Sequence, residues 1–231
     1  MGRGGRVRGA GPAPRHHELV GRITGVGFGP GRVAGPGQGP PHRIVVGEWR
    51  ISPIGSFADV MWARPDGHRT LVVPDHAVGR FITAVYQFDE VVVDGGLVVD
   101  GGRRSQRVRA AGLSLDLVLG RAVPFPPRSD VVTERIEAPI ARRLLGVETF
   151  GVSPSGVEEL YRARRLRRVC SGTASLHGEA LVGPLAPVPG CGFGFSGPPP
   201  FPSVSEVSPR LFDPTGHLDT LIAELAATGR T

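Results

Sequence analysis

The stretch from Arg43 to Ala63, RIVVGEWRISPIGSFADVMWA, decides the fold class. Ile44, Val45, Val46 and Trp49 form a β-branched and aromatic run, and Phe57 to Ala63 forms a second. Between them stands Ser52-Pro53-Ile54-Gly55, in which proline presets φ and glycine supplies a positive one, so two extended segments meet at a corner.

Working outward, Leu19, Val20, Ile23, Val26 and Phe28 predict a strand before this pair, joined to it as a hairpin across the Gly and Pro loop from Gly29 to Pro41. After it, Pro65-Asp66-Gly67 turns into a strand from Thr70 to Val73, a second hairpin. Pro74-Asp75 then starts a short helix: Asp75 is suited to accept from first-turn amides, and Val78, Phe81, Ile82 and Val85 recur at helical spacing. The run Phe88 to Val93, then Asp94-Gly95-Gly96, then Leu97 to Val99 reads as a tight hairpin. Leu113, Leu115, Leu117 and Leu119 share one face of a further strand. Val132, Ile136, Ile140 and Leu144 predict a helix from Val131 to Leu145, capped by Gly146, in spite of Pro139. Residues 157 to 169 fit a strand, through Tyr161, Ala163, Arg165, Arg167 and Val169, better than a helix. Leu218 to Ala227 is an amphipathic helix with its N-cap expected at Thr215 or Asp219.

The pattern predicts an α+β, mainly β fold: an antiparallel barrel or strongly curved sheet with two or three helices. Three parts are expected, namely a disordered basic arm over residues 1–17, a single β-rich domain over 18–207, and a C-terminal helical tail over 208–231.

Composition narrows the function classes. The 27 basic residues of this 231-residue chain are all arginine, so Schiff-base chemistry and phosphate loops that need a lysine are excluded. GC-rich codon usage accounts for that bias more simply than selection for guanidinium recognition does. The net charge is +6, but Arg3, Arg6, Arg8 and Arg15 lie in the first 17 residues, which hold no acid, so the body is nearly neutral. Cys170 and Cys191 fit neither a metal spacing nor a secreted disulfide framework. With no export signal and no apolar run of membrane length, a soluble, cytoplasmic protein without a membrane segment is expected.

Familiar motifs fail on inspection. Gly25-Val26-Gly27-Phe28-Gly29-Pro30-Gly31 lacks the spacing and the following helix of a dinucleotide loop. His17-Glu18 begins a zincin pattern, but Gly21 stands where the second histidine belongs. No metal, no cofactor and no catalytic residue is expected from the sequence, and whether the protein is an enzyme stays open. Two constellations stand out. Glu48, Trp49, Arg50, Ser52 and Asp59 gather carboxylates, a guanidinium, a hydroxyl and an aromatic around one turn, a density that suits a ligand pocket as well as a hairpin with core aromatics and surface ion pairs. Arg162, Arg164, Arg165, Arg167 and Arg168 put five guanidiniums in seven residues, and Arg103, Arg104, Arg107 and Arg109 put four in seven. These runs are the nucleic-acid or anion-binding alternative, although few aromatics accompany them.

Val46-Gly47-Glu48-Trp49, Ser52-Pro53-Ile54-Gly55-Ser56-Phe57-Ala58-Asp59-Val60-Met61, Tyr86-Gln87-Phe88-Asp89-Glu90-Val91 and Gly192-Phe193-Gly194-Phe195 resemble a group of actinobacterial proteins over roughly residues 20 to 207. That resemblance implies relatives and no activity. The segment Ser52 to Asp59 is also similar to the Ser-Pro-x-Gly-Pro-Tyr turn of acetoacetate decarboxylase-like β-barrels, which implies a central cavity for small acids. The decarboxylase's Schiff-base lysine has no counterpart, so the activity does not follow. The expected function is therefore binding of an apolar or weakly acidic small molecule in a barrel cavity. A nucleic-acid or anion binder, or a protein interaction module docking through the C-terminal helix, stands as the alternative.

Overall fold

The computed structural model describes residues 15–29, 40–124, 150–181, 183–186, 192–194 and 199–229. The helix expected over Val131 to Leu145, and all of the N-terminal arm before Arg15, lie outside the described residues.

The fold is mainly β and strongly curled. In chain order its strands begin with β1 (His16–Glu18), β2 (Val20–Phe28), β3 (His42–Ile51), β4 (Phe57–Ala63) and β5 (Arg69–Val73), followed by the helix α1 (His76–Thr83). Next come β6 (Glu90–Val93), β7 (Val98–Gly101), β8 (Ser105–Ala110), β9 (Leu113–Pro124), β10 (Phe150–Val152), β11 (Glu158–Leu160) and β12 (Ala163–Leu176). The short β13 (Glu179–Ala180) and β14 (Leu185–Ala186) precede β15 (Ser203–Val207), β16 (Arg210–Phe212) and the helix α2 (His217–Ala227). The main sheet runs β6-β5-β4-β3-β2-β15-β12-β9-β8-β7, with β13 and β14 attached to β12 and β2. A second sheet has the order β1-β16-β11-β10.

The two predicted hairpins at the front of the chain form as β2-β3 and β4-β5, and β3-β4 is antiparallel as well. The corner between β3 and β4 closes on the predicted residues: the Gly55 amide donates to the Ser52 carbonyl, and Gly55 sits at φ 91°. Asp75 caps α1 by accepting from the Val78 amide. Residues 158–160 and 163–176 are strands, as alternation indicated.

The hairpin expected from Phe88 to Val99 does not form. Helix α1 acts as a crossover, so β6 pairs in parallel with β5, while β7 pairs with β8. The turn itself is present, with the Leu97 amide donating to the Asp94 carbonyl at 3.0 Å, but it joins the two edges of the ten-strand path. Asp94 also accepts from the Ala111 amide at 2.6 Å and so ties the β8-β9 turn to this junction. Curling explains the arrangement: Thr24 on β2 and Gln106 on β8 are four strands apart along the sheet, yet their side chains meet at 2.7 Å.

Each face of the curled sheet buries its own apolar layer. The concave face is filled by Val26, Phe28, Ile44, Val46, Val60 and Trp62 from one wing against Val108, Leu113, Leu115, Leu117 and Leu119 from the other. The convex face of β2 to β5 packs Trp49, Phe57, Met61 and Leu71 under α1, α2 and the smaller sheet. Coverage on both sides explains why β4 and β5 read as continuous apolar runs rather than alternating ones.

The C-terminal segment is tied into this body. Strand β16 pairs with β1 and β11, and Leu218, Leu221 and Leu225 of α2 join the convex layer. The cap of α2 differs from the expected residues. Gly216 is the N-cap, and Asp213 instead accepts from the Leu218 amide at 2.8 Å and from Thr215 Oγ1 at 2.6 Å. Strand β1 includes His16 and His17, the last two residues of the stretch read as an arm, with His17 Nε2 2.6 Å from Asp219. Among the described residues no helix is long and apolar enough to cross a membrane.

Candidate functional site

Side chains alternate across a strand, so the register decides which residues share a face. One row across the concave face reads Glu48 (β3), Arg22 (β2), Glu206 (β15) and Arg165 (β12), each directly opposite the next. The row alternates in charge from strand to strand. Arg22 grips Glu48 in a two-pronged pair, Nη2 lying 2.6 and 2.7 Å from the two carboxylate oxygens and Nε 3.1 Å from one of them. Arg165 reaches Glu206 at 3.4 Å. The Arg22 pair is half-buried, where a bidentate contact holds its geometry better than an exposed one.

The next row inward reads Val46, Thr24, Val204 and Arg167. Thr24 and Gln106 are fully buried and bonded across the curl. One end of the Gln106 amide is thereby satisfied, and the other, at 1% residue exposure, has no partner among the described residues. Arg167 is half-buried and donates to the Arg103 carbonyl, three residues before Gln106, at 2.9 Å. Polar and charged groups thus converge at one end of the concave face, and the apolar layer continues from them.

The opposite end is polar too. Trp62 Nε1 donates to His42 Nδ1 at 3.1 Å, Arg64 lies 4.7 Å over the Trp62 ring, and Glu90 accepts from Thr70 at 3.1 Å. Because Nδ1 accepts from Trp62, the ring proton is assigned to Nε2, and burial, helped by the Arg64 charge, lowers the His42 pKa.

The five residues singled out around the Ser52 turn divide between the two faces. Glu48 lies in the concave row. Trp49 and Asp59 lie on the convex face, bonded to each other at 2.9 Å beneath the helical layer. Arg50 is exposed at the bulge where β3 steps from Trp49 to Ile51. Ser52 serves the turn, its Oγ donating to the Gly55 carbonyl at 2.5 Å and accepting from the Ile54 amide at 3.1 Å. The fully buried Asp59 carboxyl has one oxygen without a partner, and desolvation raises its pKa to about 7 against the pull of the Trp49 bond.

Strand geometry divides the arginine runs as well. Arg165 and Arg167 belong to the concave rows, Arg164 donates to Ser208 Oγ at 3.2 Å, Arg162 is half-buried and Arg168 is exposed. Arg107 and Arg109 share Asp116, at 3.4 and 2.9 Å. The five guanidiniums of residues 162–168 therefore do not line one surface.

Arg22, Thr24, Gln106 and Glu206 are members of the concave cluster that sequence reading passed over. A signal was present. Arg22 and Thr24 occupy the same alternating positions of their strand as Val26 and Phe28, and Gln106 alternates with the exposed Arg107 and Arg109. Compared with known proteins, the chain matches no family model and no curated protein sequence.

Proposed function

We propose that the concave face of the curled sheet binds a small molecule that is apolar along most of its length and weakly acidic or polar at one end. The observation that carries this reading is the free end of the Gln106 amide. A buried polar group without a partner costs about 1–3 kcal/mol, and a ligand that bonds to it recovers that cost. The surroundings support it, since half-buried guanidiniums border an apolar lining of aliphatic side chains. Binding sites of this kind join a large apolar contact to a few placed polar groups.

Thermal unfolding of the full chain against a panel of aliphatic acids, alcohols and hydrocarbons tests the reading. A ligand present at about 100 times its Kd stabilises the folded state by about 2.7 kcal/mol, which raises Tm by roughly 5–10 °C for a chain of this size. A panel that leaves Tm unchanged throughout would sink the proposal.

A further inference from the structure

We infer that the group taken at the charged end of the concave face is a single carboxylate, held between the Arg167 guanidinium and the free end of the Gln106 amide. This rests on the small-molecule reading above and specifies its head group.

Charge pairing along the rows supports it. In the outer row Glu48, Arg22, Glu206 and Arg165 alternate and neutralise one another pairwise. Arg167, one row further in, differs: its partner is the neutral Arg103 carbonyl, and among the described residues no carboxylate pairs with it. A half-buried guanidinium bonded to a carbonyl alone leaves one positive charge in excess. The register sets Arg167 two strands from Thr24, about 10 Å between backbones, with the buried Val204 on the strand between them, and the long guanidinium side chain reaches past it to the Arg103 carbonyl. Thr24 in turn holds Gln106 across the curl. One surplus positive charge and one unsatisfied amide therefore lie on the same concave face, at its charged end.

That arithmetic favours a monoanion. A second carboxylate on the ligand would have to lie among Val26, Val46, Val204 and Leu117, where an unpaired charge is strongly disfavoured. The ligand class is accordingly an aliphatic monocarboxylate, with its tail on the apolar layer. Gln106 and Arg167 act as specificity-determining residues, and no covalent step is involved.

The test is titration calorimetry on the full chain with four probes of equal length: octanoate, octanamide, suberate and octylamine. Octanoate is expected to bind about ten- to hundredfold more tightly than each of the other three, the range for a hydrogen-bonded charge pair. Gln106→Leu, which removes the unsatisfied amide and with it the acceptor of Thr24, should cost about tenfold in octanoate affinity and only about two- to threefold in octanamide affinity, because the amide carbonyl accepts a weaker, neutral hydrogen bond. Arg167→Gln should do the same. Equal affinity for octanoate and octanamide would overturn the carboxylate assignment while leaving small-molecule binding intact, and absence of binding by all four probes would overturn both. Should Gln106→Leu fail to fold, the comparison of the four probes on the unaltered chain decides the matter alone.

Discussion

Replacing Asp59 by asparagine should flatten part of the protein's pH dependence of stability. The carboxyl is fully buried on the convex face, accepts one hydrogen bond from the Trp49 indole, and has its pKa raised by desolvation from 3.8 to about 7. A carboxyl with its folded-state pKa raised is protonated in the folded protein while the unfolded chain has already ionised. Its contribution to stability is therefore full at low pH and is lost as pH rises towards 7. Each pH unit in that window is worth about 1.4 kcal/mol, so moving from pH 5 to pH 8 removes about 3 kcal/mol through this one group. Asp59→Asn keeps an acceptor for the indole and cannot ionise. Urea unfolding of both proteins at pH 5 and pH 8 isolates the term, because every other titrating group is common to the two. The unaltered protein should lose about 3 kcal/mol more than the variant across that interval. Equal losses in the two proteins would refute the reasoning and mean that Asp59 is ionised, or solvated, in the fold.

Two further outcomes test the packing around these faces. Gly47→Ala would drive a Cβ into Asp59 Oδ1 and to within 2.6 Å of Trp49 Nε1, so it should destabilise by about 1–3 kcal/mol in chemical unfolding and shift the Trp49 fluorescence; an unchanged midpoint would mean that the indole and carboxyl do not meet over Gly47. Leu221→Ala should cost about 2–5 kcal/mol in the same assay, because α2 is docked in the convex layer, whereas a tail standing apart would lose less than 1 kcal/mol.

Much of the fold was legible because it is local. The Ser52 turn, the Asp75 cap and the alternating leucines of β9 each follow from a few neighbouring residues, and each forms as read. What escaped was non-local. Asp94-Gly95-Gly96 does make a turn, but whether the flanking strands pair with each other depends on α1 placing β6 beside β5, which no property of residues 88–99 encodes. The candidate site failed in part for the same reason. Proximity in sequence groups Glu48 with Trp49 and Asp59, whereas a pleated strand sends Glu48 to the opposite face from the other two, and its partner Arg22 is set by register. Gln106 meets Thr24 only because the sheet curls, and curvature is not written in any one strand.

The junction at Asp94 has a mechanical consequence. The two rims of the ten-strand ribbon end beside a four-residue strap, where the cross-linking between them rests on contacts such as the Asp94 to Ala111 bond rather than on a ladder. Every other seam along the ribbon is stitched by backbone amides. Among the described residues this is the line along which the ribbon's rims meet without a strand pair between them, so separating them there would break no ladder.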